Sequence, residues 1–142
     1  MLVRCLYASR PTAACDAPAM DLILQQARKN NPARGLTGLL AISHNLFLQV
    51  LEGGRDEVCE IYNAIVRDER HEQVRLLIFE EISERRFGAW TMGQINIDRL
   101  NPSLLLKYFK RAELNPFDSS GRATLALLDE MVVTAAISPR GE

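Results

Sequence analysis

The run Leu46-Phe47-Leu48-Gln49-Val50-Leu51 constrains the possible folds more than any other stretch of the chain. Side chains alternate between the two faces of a strand, so Phe47, Gln49 and Leu51 share one face and Leu48 and Val50 the other. Apolar residues on both faces mark a strand inside a sheet that is covered on both sides. Any fold for this chain must therefore supply two sets of covers. Gln49 is the anomaly in the run. A buried amide left unpaired costs about 1–3 kcal/mol, so something must hydrogen-bond it. A structural glutamine satisfied by backbone or water meets that need. A functional glutamine meets it with a neighbouring side chain and a ligand edge.

The neighbouring segments supply the covers. Leu2 to Ala8 reads as a strand that ends at Ser9-Arg10-Pro11, because proline cannot donate to a central ladder. Ala17 to Asn30 reads as an amphipathic helix, with Met20, Ile23, Leu24 and Ala27 at helical spacing. Asn30-Asn31-Pro32 is expected to end it, since the residue before proline avoids helical geometry. Thr37 to Ser43 and Leu46 to Glu52 read as a hairpin turning at His44-Asn45. Asp56 to Arg67 is a second helix with Val58, Ile61, Tyr62 and Ile65 as its apolar stripe, and Val74 to Ile82 a fourth strand. Gly93 to Ile97 is expected as a fifth strand.

This order is the α+β, ferredoxin-like βαββαβ pattern extended by one strand, with the first two helices covering one face. The tail from Asn101 reads as helical, with a stripe at Leu104, Leu105, Tyr108 and Phe109, a break at Asn115-Pro116, and a last helix capped by Ser119 or Ser120. Its helices, or a second subunit, are expected on the opposite face. We divide the chain into a core of residues 1–98 and a C-terminal helical extension of residues 99–142.

Composition excludes several function classes. A formal net charge of −1 gives no field that would draw in nucleic acid or anionic lipid. Cys5, Cys15 and Cys59 share no close spacing, so neither a disulfide framework nor a metal site is expected, which fits a reducing cytoplasm. No signal peptide and no membrane span is expected from the apolar runs present. Gly-rich phosphate loops, a P-loop and a nucleophile with its base are likewise missing, which argues against a hydrolytic or phosphoryl-transfer enzyme.

What remains is a set of hydrogen-bonding side chains. Tyr7 shares a strand face with Val3 and Cys5, and the first and third strands of such a sheet are commonly neighbours. Tyr7 and Gln49 can then meet, and both donate and accept, which a relay requires. A core tyrosine with a satisfied hydroxyl is the plainer alternative. Asn30 and Asn31 suit the alternating carbonyls and N–H groups of a flat heterocycle, or simply terminate a helix. Arg70 and His71, after the second helix, suit a phosphate or a ring carbonyl, or a helix end.

Five fragments in register carry a resemblance. They are Leu6-Tyr7-Ala8-Ser9 with Asn31; Gly35-Leu36-Thr37-Gly38-Leu39-Leu40; Phe47-Leu48-Gln49-Val50-Leu51-Glu52-Gly53; Asp68-Glu69-Arg70-His71; and Arg86-Phe87-Gly88-Ala89-Trp90-Thr91-Met92. Over about residues 2–97 the chain resembles the BLUF family of flavin-binding blue-light sensors, and its tail looks like that of short stand-alone members. The resemblance implies FAD, or else FMN, held without a covalent bond between the two helices. It implies a photocycle in which Tyr7 gives up an electron and proton and Gln49 ends with a changed tautomer or orientation. Met92 and Trp90 carry over as fifth-strand residues linked to output, one of them at a time meeting the glutamine. Asn31 carries over as the ring contact, with Asn30, Gln49, Arg70, His71, Ile23, Phe47 and Ile65 completing the expected flavin surroundings. Pro32 and Ala33 depart from the longer polar side chains of many members. The implied partners are a downstream protein of unknown identity and, in a homo-oligomer, further copies of the chain. A ferredoxin-like regulatory module that binds a ligand without photochemistry is the competing reading, and an acylphosphatase-like hydrolase a more distant one.

Overall fold

The computed structural model describes residues 1–43 and 45–134. Its elements in chain order are β1 (Leu2–Pro11), α1 (Ala17–Arg34), β2 (Thr37–Ser43), β3 (Leu46–Gly54), α2 (Arg55–Arg67), β4 (His71–Ile82), β5 (Gly93–Asn96), a 3-10 turn (Ile97–Arg99), α3 (Pro102–Tyr108) and α4 (Gly121–Thr134). The strands lie in the order β4-β1-β3-β2-β5, the ferredoxin-like order with β5 added outside β2. All neighbours are antiparallel except β5, which runs parallel to β2. No helix among the described residues is long and apolar enough to cross a membrane.

β3 is central and buried almost throughout, as its two apolar faces require. On one face Val3, Cys5, Leu40, Phe47 and Leu51 pack under Leu24 of α1 and Val58 of α2. On the other, Leu6, Ala8, Leu39, Leu48 and Val50 pack under Leu105 of α3 and Leu125, Leu128 and Met131 of α4. Both expected covers are thus present within one chain. Ser120 supplies the expected cap of α4, accepting from the Ala123 N–H at 3.0 Å, while Ser119 instead donates to the Asn115 carbonyl. The proposed hairpin turn falls partly outside the described residues, because His44 is not among them; Ser43 and Leu46 pair across it. Residues 135–142 of the extension also lie outside the described residues.

Several boundaries differ from expectation. α1 does not end before Pro32 but runs through it to Arg34. Proline lacks only one N–H, and here that loss falls in the last turn. The helix closes on Gly35, whose φ of 68° is left-handed, with Gly35 N–H donating to the Pro32 carbonyl and Leu36 N–H to the Asn31 carbonyl. This pair of bonds satisfies the terminal carbonyls that the helix would otherwise leave open. β1 continues past β3 to Pro11, where it pairs only with β4, so the missing proline donor breaks no central ladder. β5 ends at Asn96, and Ile97 enters the 3-10 turn. β4 starts three residues early, at His71. It is also bulged: Leu6 faces Ile78 while Tyr7 faces Leu76, leaving Leu77 unmatched.

A buried ion pair ties β1, β3 and the β4–β5 loop together. The Glu52 carboxylate accepts from Arg4 Nε at 2.8 Å and from the Phe87 and Arg86 backbone N–H groups at 2.7 and 3.0 Å. Arg86 in turn reaches Asp129 of α4 at 2.7 Å.

Candidate functional site

The β1–β3 register sets Tyr7 directly opposite Gln49. The two side chains meet, Tyr7 Oη donating to Gln49 Oε1 at 2.5 Å. Gln49 Nε2 points the other way and donates to the Met92 sulfur at 3.4 Å. The amide in the apolar strand is therefore satisfied by side chains at both ends. Burial pushes the Tyr7 hydroxyl well above the usual phenol range, with Cys5, Tyr62 and Asp68 adding to the effect, so Tyr7 holds its proton. The Tyr62 ring packs edge-on against Tyr7, with centroids 5.9 Å apart.

Tyr7 and Gln49 line the floor of a cleft of about 210 Å³ between α1 and α2, and Met92 lies behind Gln49, outside the cleft lining. Ile23 and Ala27 line one wall and Ile61, Ala64 and Ile65 the other, an arrangement suited to the two faces of a flat ring. Asn30, Asn31, Asp68, Arg70 and His71 supply polar groups around the rim. Asn31 is 3 % exposed, and its Nδ2 donates to the Thr91 carbonyl at 3.2 Å. Asp68 grips Arg70 with both carboxylate oxygens, the shortest contact being 2.6 Å. That hydrogen bonding holds the Asp68 carboxyl below its ordinary range and the Arg70 guanidinium above it. His71 Nδ1 lies 2.8 Å from Ser9 Oγ, and burial lowers its affinity for a proton, so the ring is neutral near pH 7. The walls and rim fit an isoalloxazine: apolar side chains for its faces, amides for its carbonyl and N–H edge.

Two expected residues stand elsewhere. Phe47 shares the Gln49 face but is wholly buried against the His71 ring, 4.5 Å between centroids, and does not line the cleft. Trp90 packs on the opposite side of the sheet with Leu48, Leu105 and Leu125, while Met92 lies on the cleft side. Both precede β5 instead of belonging to it. The chain bends at Thr91 and Met92, which breaks the strand alternation that would have placed the pair on one face. Gln26, Ala27, Arg34, Leu51, Ile61, Ala64 and Asp68 line the cleft but were not among the expected contacts. For the helical ones the signal is spacing: Gln26 and Ala27 fall one turn after Ile23, Arg34 one turn after Asn30 and Asn31, and Ile61 one turn before Ile65, whereas Leu51 follows from strand alternation with Gln49 and Asp68 is the C-cap of α2.

Comparison with known proteins shows the family. The family model described as "Sensors of blue-light using FAD" (BLUF) matches residues 2–93. A photoactivated adenylate cyclase subunit beta of Euglena longa is 35 % identical over 86 residues, 60 % of this chain and 10 % of that protein. The blue light- and temperature-regulated antirepressor BluF of Escherichia coli K12 is 31 % identical over 88 residues, 62 % of this chain and 22 % of that protein. This chain thus spans about a tenth of the cyclase subunits and under a quarter of the antirepressor. Two solved structures match over nearly their whole length. BlsA in its photo-activated state has a TM-score of 0.83 at 26 % identity, covering 100 % of this chain and 99 % of that one. The dark-state structure of BlrB, a BLUF protein, has a TM-score of 0.78 at 28 % identity, covering 94 % and 96 %. With the family match running across β1 to the start of β5, the chain belongs to the BLUF family of blue-light sensors using FAD.

Proposed function

We propose that the chain is a blue-light receptor in which Tyr7 and Gln49 form the photoactive pair and Met92 is the first residue to register their change. The observation that carries this reading is the continuous path Tyr7 Oη–Gln49–Met92 Sδ, which runs from the floor of the cleft to the segment ahead of β5. Asn31, Asn30, Gln49, Arg70 and His71 would hold the FAD ring edge, and Ile23 and Ile65 its faces. FAD supplies the blue-light absorption and the oxidising power of the excited state. The protein's part is to keep Tyr7 protonated, to present its hydroxyl to Gln49, and to give the amide two distinguishable ends. A phenol hydroxyl donates and accepts, whereas a thioether only accepts. The resting amide uses both partners well. A rotated amide turns its oxygen toward a sulfur that has no proton to give, and an imidic tautomer keeps one Nε2 proton in place of two, so the two states differ in what Met92 feels.

The β4–β5 loop offers a route for the signal. It presents Met92 to Gln49 on one face and Trp90 to the α3–α4 cluster on the other. In this reading residues 1–98 sense and residues 99–142 respond, and the receiver is a protein partner in the cytoplasm, not a substrate.

Replacing Gln49 with Leu tests the proposal. The variant is expected to retain flavin, because Gln49 is one of several rim groups, and to lose the light-induced red shift. Absorption spectra before and after blue illumination decide it; a shift of normal size in Gln49→Leu would remove the amide from the mechanism. Asn31→Ala loses a directional amide worth about 0.5–1.5 kcal/mol net. Flavin retention should fall about two- to tenfold, or the dark spectrum move, as measured by equilibrium dialysis and absorption. Unchanged values would leave Asn31 as a brace for Thr91 alone.

A further inference from the structure

We propose that Arg28 is a positioning residue that holds Met92 against Gln49 and so sets how fast the dark state returns. The inference rests on the Tyr7–Gln49 reading above. Three successive carbonyls ahead of β5 each accept one hydrogen bond. Gly38 N–H donates to Trp90 at 3.0 Å, Asn31 Nδ2 to Thr91 at 3.2 Å, and Arg28 Nε to Met92 at 3.1 Å. Sheet pairing with β2 begins only at Gly93. Met92 itself is therefore outside the ladder, and its backbone carbonyl is held by a side chain of the cleft helix. Arg28 is the one cation of the three donors, and a charged donor makes the stronger bond. Its Nη2 is buried without a hydrogen-bond partner, so the guanidinium is not spent on a surface carboxylate.

The consequence follows from the chemistry of sulfur. Met92 accepts from Gln49 Nε2 and has no proton to give. A rearrangement that takes the Nε2 proton away, or brings Oε1 toward the sulfur, leaves Met92 mispaired. While Arg28 keeps Met92 in place, that mispairing favours return to the resting amide. If the hold is loosened, Met92 can withdraw and the rearranged state persists longer.

The experiment uses the full chain loaded with flavin. Arg28→Gln is expected to slow dark recovery about three- to tenfold, the range set by exchanging a charged donor for a neutral one. Flavin content and dark absorption maximum should be unchanged. Arg28→Lys, which keeps a cationic donor, should fall between, and Lys29→Gln, at the exposed neighbour, should match the unsubstituted chain. In the dark, the ¹³C-methyl resonance of Met92 should shift or broaden in Arg28→Gln and stay fixed in Lys29→Gln. In a Met92→Leu background Arg28→Gln should no longer change the rate, since the two act through one contact. An unchanged recovery rate with an unchanged Met92 resonance overturns the proposal, as does equal slowing with and without the Met92 sulfur. An unsubstituted protein with no reversible shift would instead overturn the Tyr7–Gln49 reading, and the Met92 resonance would still report on the hold.

Discussion

Tyr7→Phe is expected to keep the fold and the flavin and to lose the light response altogether. The exchange removes one hydroxyl at nearly constant volume from a side chain that is 1 % exposed, so the packing under α1 and α2 survives. What it removes is the proton donated to Gln49 Oε1. Because burial holds the Tyr7 proton firmly, the hydroxyl is the donor throughout the accessible pH range, and phenylalanine has nothing to put in its place. The freed amide oxygen costs about 1–3 kcal/mol if it finds no other donor, so a modest fall in stability should accompany the lost photocycle. Absorption under continuous blue light is the measurement. A stable red-shifted state in Tyr7→Phe would transfer the donor role to another residue, and Tyr62, packed edge-on 5.9 Å away, would be the first to replace in turn.

The largest effect on stability is expected at Glu52. It is fully buried, and its carboxylate answers Arg4 and two backbone N–H groups of the β4–β5 loop. Glu52→Leu would leave Arg4, itself 5 % exposed, with Glu80 as its remaining anion and would orphan the Arg86 and Phe87 amides. Breaking a buried pair from one side costs about 3–5 kcal/mol, a large share of the 5–15 kcal/mol that holds a typical domain together. For a chain of this size that corresponds to a fall in Tm of about 10–20 °C, read from thermal unfolding followed by circular dichroism. Arg4→Met combined with Glu52→Leu should regain part of the loss, because the unpaired buried cation is gone. A fall below about 2 °C in the single variant would mean that water reaches Arg4 and that the pair carries little.

Gln49 was legible because a lone amide in an apolar strand demands a partner, and the strand order then brings Tyr7 to it. Glu52 is equally legible in principle, although at the end of an apolar run it reads simply as the end of the strand. The register that sets Tyr7 opposite Gln49 also sets Arg4 opposite Glu52, two opposite charges flanked by apolar residues. Pro32 misled in the other direction. The rule that proline stops helices weighs a local cost, whereas α1 gains a left-handed glycine closure and a tertiary bond from Asn31 to Thr91 just where that cost falls. The separation of Trp90 from Met92 could not be read from alternation, since it depends on a bend outside any strand. Nor could the Leu77 bulge, which is a property of how β4 meets β1 and not of β4 alone.

That bulge has a consequence for the chain's behaviour in a crowded solution. β4 is an outer strand of 12 residues, and it carries Leu76 and Phe79 in the open, 48 % and 38 % exposed. A straight edge of that length and character would be a template on which other chains could stack as added strands. Leu77 interrupts the even spacing of donors and acceptors along it and increases the local twist. An incoming strand can match the edge on one side of the kink or the other but not across both, so the growth of stacked sheets is cut off at its first step.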